Sequence, residues 1–227
     1  MTIPAIEGIG GKGLSMLLAI HGAVRRDLAR LTGSVGVLAD PGIRDHDRSV
    51  GAVGLSAYWS CLASQLHHHH SVEDVEVFPY VRKALGARAA VVMDKMGREH
   101  DAIDEAQALA DAAVAALVEE PTAARASVVA ERLLTFQQLV LAHLAHEEVE
   151  AIPLIVEGFD ERYWAAFMDR RQHDPGGDTF LPWILEGASA PAIAEVTRTL
   201  PPPVHQLLVQ QWQPAHAARV EALPLPR

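Results

Sequence analysis

The sequence predicts an all-α protein: four long helices in two related pairs, followed by a helical C-terminal extension. Three observations carry this expectation. The chain is 49% apolar yet only 5% aromatic, and its Ala- and Leu-rich texture suits packed helices better than a sheet sandwich. Four segments repeat apolar residues at three- and four-residue spacing, as a helix with one buried face does. One of those segments also returns, almost position for position, 74 residues later.

Taken in order, residues 12–31 place Leu14, Leu17, Leu18, His21, Val24, Leu28 and Leu31 on one helix face, so His21 points inward among leucines. The stretch "TGSVGVLADPGIRDHDRSV" has no period and carries Gly, Pro, Asp and Ser, which predicts a long connection with His46 exposed. A second helix over about 50–78 lines up Tyr58, Leu62, Leu66, His69 and Glu73 before Pro79 kinks or ends it. A third, 88–117, turns Val92, Met96, His100 and Ile103 inward. Pro121 and Thr122 suit the start of a fourth, 122–157, whose stripe is Leu133, Phe136, Leu139, Val140, His143 and Glu147.

Residues 1–158 thus read as one helical domain. Beyond Gly158 the chain is broken repeatedly by Pro and Gly, and residues 159–227 read as a helical extension packed on that domain. Its histidines, His173, His205 and His216, have no acids at ligand spacing and read as surface or local packing residues.

The bulk numbers exclude several classes. A formal charge of -10 without a Lys/Arg cluster argues against a nucleic-acid partner, whose phosphates must be neutralised. The single cysteine, Cys61, makes no internal disulfide and reads as a small buried residue of a reducing compartment. The N-terminal residues lack the basic cluster and cleavage site of a signal peptide, and no window is long and apolar enough to span a membrane. The expectation is a cytoplasmic protein with no membrane partner.

The repeat singles out a site. Shifting the chain by 74 residues lays "HHSVEDVEVFP", residues 69–79, over "HLAHEEVEAIP", residues 143–153. His69 falls on His143, Glu73 on Glu147, Asp74 on Glu148 and Pro79 on Pro153; a shift of 79 brings His21 onto His100. In each His-x-x-x-Glu the two side chains stand one turn apart on one helix face, so an imidazole nitrogen and a carboxylate can reach a common centre. Burying a carboxylate beside leucines is costly unless a cation or hydrogen bonds compensate, and here two helices would each bear that cost. Any one of these histidines alone reads as a satisfied core residue. Four inward histidines, one per helix, with two carboxylates in a repeated frame read as a metal centre: His21, His69, Glu73, His100, His143 and Glu147.

The neighbours carry less weight. His67, His68 and His70 fall off or at the edges of the His69 stripe and read as solvated or outside the ligand positions. Glu76 and Glu150, two turns beyond the histidines, read as surface acids more than as partners of the ligands, and Tyr58 stands too far from His69 along its helix to join it. Other motifs fail. "HEEVE" has Glu150 where a zinc protease needs its second histidine, no Glu-x-x-His occurs, and "GIGGKG" lacks the strand of a phosphate loop.

With His21, "HHSVEDVEVFP", the "EH" of Glu99 and His100, and "HLAHEEVEAIP" in order on four helices, the chain resembles the hemerythrin-like HHE cation-binding family over about residues 12–157. The resemblance implies an up-down four-helix bundle around a non-haem centre of two iron ions, rather than manganese or zinc, with the four histidines as ligands and Glu73 and Glu147 as bridges. The chain departs from the oxygen carriers of that family at one place. They have a second histidine one turn after the third-helix ligand, whereas this chain has Asp104, open as a ligand, as an acceptor holding one, or as a solvated acid. His146 is a further candidate for the missing ligand. Two irons need about twelve donor bonds, more than this set supplies, so positions stay open for an external ligand. The implied function is reaction with dioxygen, peroxide or nitric oxide in oxidative or nitrosative stress. The alternative is a module that binds or senses oxygen or iron reversibly, its extension serving as a cover, a gate or a homodimer interface.

Overall fold

The computed structural model describes residues 11–171, 176–188 and 190–225; the side chain of Leu14 and the whole of His173 lie outside the described residues. Four long helices form a bundle around one core: α1 (Gly11–Ala39), α2 (Asp45–Val72), then beyond the short α3 (Phe78–Leu85), α4 (Ala87–Glu119) and α5 (Ala123–His146), which leads into α6 (Ile152–Gly158). α1 packs on α2 and α5, and α4 packs on the same two, closing a ring.

Helix α1 outruns its expected end. Val35 and Leu38 extend the stripe beyond Leu31 and are fully buried, which outweighs the roughly 1 kcal/mol that Gly33 or Gly36 each costs a helix. The predicted long connection shrinks to residues 40–44. Arg48 makes so short a turn possible: its Nε and Nη2 donate to the carbonyls of Leu38 and Asp40 at 3.0 and 2.8 Å, covering acceptors that the end of α1 leaves open. At the start of α5, Thr122 caps as its type predicts, its hydroxyl accepting from the Arg125 N–H at 3.2 Å.

Pro79 does not end the second helix. α2 passes through a π turn, Glu73–Val77, into α3, and α5 passes through Glu147–Ala151 into α6. After each turn the backbone N–H bonds five residues back, Phe78 to Glu73 and Ile152 to Glu147, and the next residue is Pro79 or Pro153. A proline ring collides with the carbonyl four residues earlier and brings no N–H, so a widened turn just before it accommodates the ring. The same arrangement recurs far from the repeat, where Leu208–Trp212 precedes Gln213 and Pro214. Local sequence, not the site, therefore accounts for the π turns.

Two apolar clusters sandwich a polar layer. One joins Leu28, Leu31, Leu55, Leu62, Ile103 and Phe136; the other joins Phe78, Val81, Met93, Met96 and Ile155. His69 and His100 fall between them along their helices, as does Glu147 between Leu144 and Ala151, whereas His21 and His143 are flanked by residues of the larger cluster.

The C-terminal helices are α7 (Glu161–Arg171), α8 (Gly177–Leu185), α9 (Ala190–Thr199), α10 (Pro202–Leu207) and, after the third π turn, α11 (Gln213–Glu221). Trp183, Leu208 and Leu223 enter the larger cluster beside α1 and α2. Buried Asp27 on α1 accepts from the Trp183 indole at 2.7 Å, and Glu186 binds Arg30 at 2.6 and 2.8 Å and His216 at 2.8 Å. His216 is thus buried and paired, while His46 and His205 are exposed.

Two glycines of α2 seat the tail. A Cβ on Gly54 would lie 2.2 Å from the Ala222 carbonyl oxygen, and one on Gly51 would lie 2.7 Å from Leu38 and 3.0 Å from Pro224. Overpacking of this kind costs about 1–3 kcal/mol. Gly54→Val is therefore expected to lower the thermal midpoint and to expose residues around Ala222 to limited proteolysis, with α4 and α5 still protected in hydrogen exchange.

Candidate metal centre

Each ligand candidate reaches the core because the helix stripe that carries it is apolar on both sides of the histidine. His21, His69, Glu73, His100, His143 and Glu147 are all buried, and the structure brings all six together. His21 Nε2 lies 3.1 Å from Glu147 Oε2, and His69 Nε2 lies 3.4 Å from Glu73 Oε1. Across the bundle, His100 Nε2 stands 3.6 Å from Glu73 Oε2 and 3.2 Å from His143 Nε2, which is 3.8 Å from Glu147 Oε2.

A seventh residue joins them. His70, expected to be solvated or peripheral, is 3% exposed, and its ring stacks on His100 with centroids 4.0 Å apart. Neighbouring residues of a helix point about 100° apart. A centre wide enough to have two lobes can therefore receive both: His69 turns to His21 at 5.5 Å, and His70 turns to His100 and His143. Donor atoms within 4.8 Å of one another form three groups: His21, His69 and Glu147; His70, His100 and His143; Glu73, His143 and Glu147. Two imidazoles on one side and three on the other thus share a pair of carboxylates.

The two further candidates fall outside. Asp104 is exposed on α4, because the inward stripe there steps from His100 to Ile103 by three residues and leaves the fourth on the outer side. His146 is half-buried and faces away, between Glu99 and Glu150.

A layer of carboxylates holds the imidazoles from behind. Glu148 bonds His21 Nδ1 and Asp74 bonds His100 Nδ1, both at 2.9 Å, and Glu99 bonds His143 Nδ1 at 3.1 Å. Asp74 and Glu148 occupy equivalent positions of the repeat and hold the equivalent histidines, so the pseudo-two-fold extends beyond the inner residues. A carboxylate on Nδ1 keeps a proton there and aims Nε2 at the centre, where its lone pair would meet a metal once any second proton has left, as at metal-bound histidines generally. Glu76 instead receives Arg170 at 2.9 Å.

Apart from the 3.1 Å ion-pair contact of His21 with Glu147, the inner atoms lack partners of their own. His21 Nε2, His69 Nε2, both nitrogens of His70, Glu73 Oε2 and both oxygens of Glu147 are buried with no hydrogen bond. Each such group costs about 1–3 kcal/mol or more when charged, and here they converge on one place. Facing lone pairs of His100 and His143 and two adjacent carboxylates repel one another unless a cation stands between them. An imidazole and carboxylate donor set without thiolate fits iron or manganese, and divalent or trivalent ions within the layer would engage each of these side chains, His70 through one of its two nitrogens.

Electrostatics agree with the layering. Burial pushes His69 down to about 3 and carries His70 well below the usual imidazole range, so both are neutral donors at physiological pH. Burial also opposes charge on His21, but Glu147 and Glu148 outweigh it and raise the group to about 9. Burial and the charge of Glu147 drive Glu73 well above the carboxylate range, whereas Glu147 is held below it by His21 despite burial. The raised His21 stabilises the metal-free fold fully below about pH 6.5, and that contribution is lost as the pH rises to about 9. The thermal midpoint of metal-free protein should fall across that window, and His21→Gln should flatten the fall.

Among the described residues no helix is long and apolar enough to cross a membrane. Residues 12–155 match the family model of the hemerythrin HHE cation binding domain. No curated protein and no solved structure matches the chain.

Proposed function

The chain belongs to the hemerythrin HHE cation-binding family, and on that premise we propose that its centre holds two non-haem iron ions that react with dioxygen, peroxide or nitric oxide in oxidative or nitrosative stress. His21 and His69 would hold one ion and His70, His100 and His143 the other, with Glu73 and Glu147 placed between the two groups of imidazoles. The convergence of buried donor atoms that have no other partner carries this reading. When bound, iron supplies one-electron chemistry toward such small ligands.

The residues contribute the rest. The lobe with two imidazoles offers fewer donors than its neighbour and leaves room for an external ligand. The carboxylates behind His21, His100 and His143 keep each ring in one tautomer and orientation. The apolar clusters above and below exclude bulk water, which strengthens every charge interaction within the layer. Iron-loaded protein mixed with peroxide is expected to release oxygen over many turnovers, and Glu147→Ala is expected to abolish this. A single stoichiometric colour change instead would assign the chain to reversible binding.

That second reading, a module that senses oxygen or iron, draws on one observation. Asp27, Arg26 and Arg30 of α1, the helix that carries His21, hold Trp183 and Glu186 of the C-terminal helices. A change in occupancy at His21 would then reach residues 159–227 through α1. Hydrogen exchange over Trp183 and Glu186 with and without iron tests it, and equal protection would remove it.

A further inference from the structure

One hydrogen-bonded chain runs from the protein surface to the centre. Lys95, exposed on α4, places Nζ 2.9 Å from His146 Nε2; His146 Nδ1 lies 2.8 Å from Glu99 Oε1; Glu99 Oε2 lies 3.1 Å from His143 Nδ1. Glu150 Oε2 accompanies Lys95 at 3.1 Å from the outer nitrogen of His146. Carboxylate oxygens accept, so at both contacts the imidazole Nδ1–H donates to Glu99. The lone pair of His143 is thereby placed on Nε2, the nitrogen that faces His100 and Glu147.

Glu99 differs from the other two outer acids. Asp74 bonds the single imidazole of His100, and Glu148 divides itself between His21 and the flexible guanidinium of Arg25 at 2.7 Å. Glu99 grips two rigid rings with its two oxygens. Beside it, Lys95, Arg98, Ala102, Leu139 and Ala142 line a groove of about 320 Å³ that ends on His143. Water reaches the carboxylate by that groove, so its orientation depends on a second side chain fixing it, and His146 is that side chain.

We infer that Glu99, buttressed by His146, is the positioning residue that aims His143 into the three-imidazole lobe. This rests on the two-metal reading above, and it gives His146 the role of holding the residue that holds a ligand.

The test uses cobalt(II), whose visible absorption reports its donors, on the full metal-free chain, followed by release into excess EDTA. Wild-type protein takes up two ions per chain. In Glu99→Gln one ion leaves about tenfold to a hundredfold faster, with an altered cobalt spectrum, while the other ion and the thermal midpoint of metal-free protein are unchanged. Glu148→Gln accelerates the other ion, and the double variant accelerates both. His146→Leu shifts the same phase as Glu99→Gln, whereas His146→Asn, whose amide N–H replaces Nδ1–H, restores it. Release from Glu99→Gln at the wild-type rate, or equal acceleration of both ions, overturns the inference and leaves the centre standing. A wild-type chain that binds no cobalt removes the centre and the inference together.

Discussion

Glu73→Gln is expected to raise the thermal midpoint of the metal-free chain and to lower that of the metal-loaded chain. Glu73 is buried, one of its oxygens has no hydrogen bond, and Glu147 stands beside it. In metal-free protein an ionised Glu73 therefore opposes folding, and the neutral amide relieves a cost whose removal at buried charges is typically worth about 1–4 kcal/mol. The sign follows from the raised carboxyl: stability falls as pH rises from the ordinary carboxylate range toward the folded value, so the gain grows with pH across that interval. Near pH 4.5 it vanishes, because protonated Glu73 and Gln are close to isosteric. With metal bound the balance inverts. An amide offers one neutral oxygen where a bridge uses two anionic ones, and a hundredfold loss in affinity removes about 2.7 kcal/mol of ligand-linked stability. Calorimetry on both forms measures the two shifts. A Glu73 that served only as a structural partner of His69 would lower both midpoints.

His70→Ala is expected to reduce bound metal from two ions to one per chain, whereas His68→Ala leaves two. His70 has no partner for either ring nitrogen, stacks on His100, and lies with His100 and His143 in one donor group. His68 is exposed on the far side of α2. Loss of one of three imidazoles weakens a single lobe, so the remaining ion should keep the release rate of the ion held by His21 and His69. Equilibrium dialysis with plasma mass spectrometry gives the count. Equal occupancy in both variants would return His70 to the role of a packed core ring.

The contrast between these histidines shows what the residues alone reveal. The all-helical bundle was legible from period and composition, because a wide apolar stripe can be buried in few other ways. The layer of His21, His69, His100, His143, Glu73 and Glu147 was legible from the repeat, since the four-residue spacing fixes a common face. His70 was not, because the stripe argument assumes one target point and the centre has two lobes. Asp104 was open as a ligand, an acceptor or a solvated acid, and the α4 stripe, which advances by three at that turn, leaves it exposed. Glu99 and Glu148 act between helices, and spacing within one helix says nothing about such contacts. Asp74 and Glu148 were nonetheless matched in the repeat, a signal that their shared role as holders of His100 and His21 makes plain. The long connection before α2 failed for another reason, because tertiary burial of Val35 and Leu38 and the reach of Arg48 override glycine propensity.

Anomalous diffraction from a crystal of protein purified from iron-replete cells, recorded on both sides of the iron edge, tests the central claim most directly. Two peaks should appear within the layer of His21, His69, His70, Glu73, His100, His143 and Glu147, strong above the edge and weak below it. A layer with no peak, or with a single ion whose signal does not change across the edge, would contradict the two-iron centre.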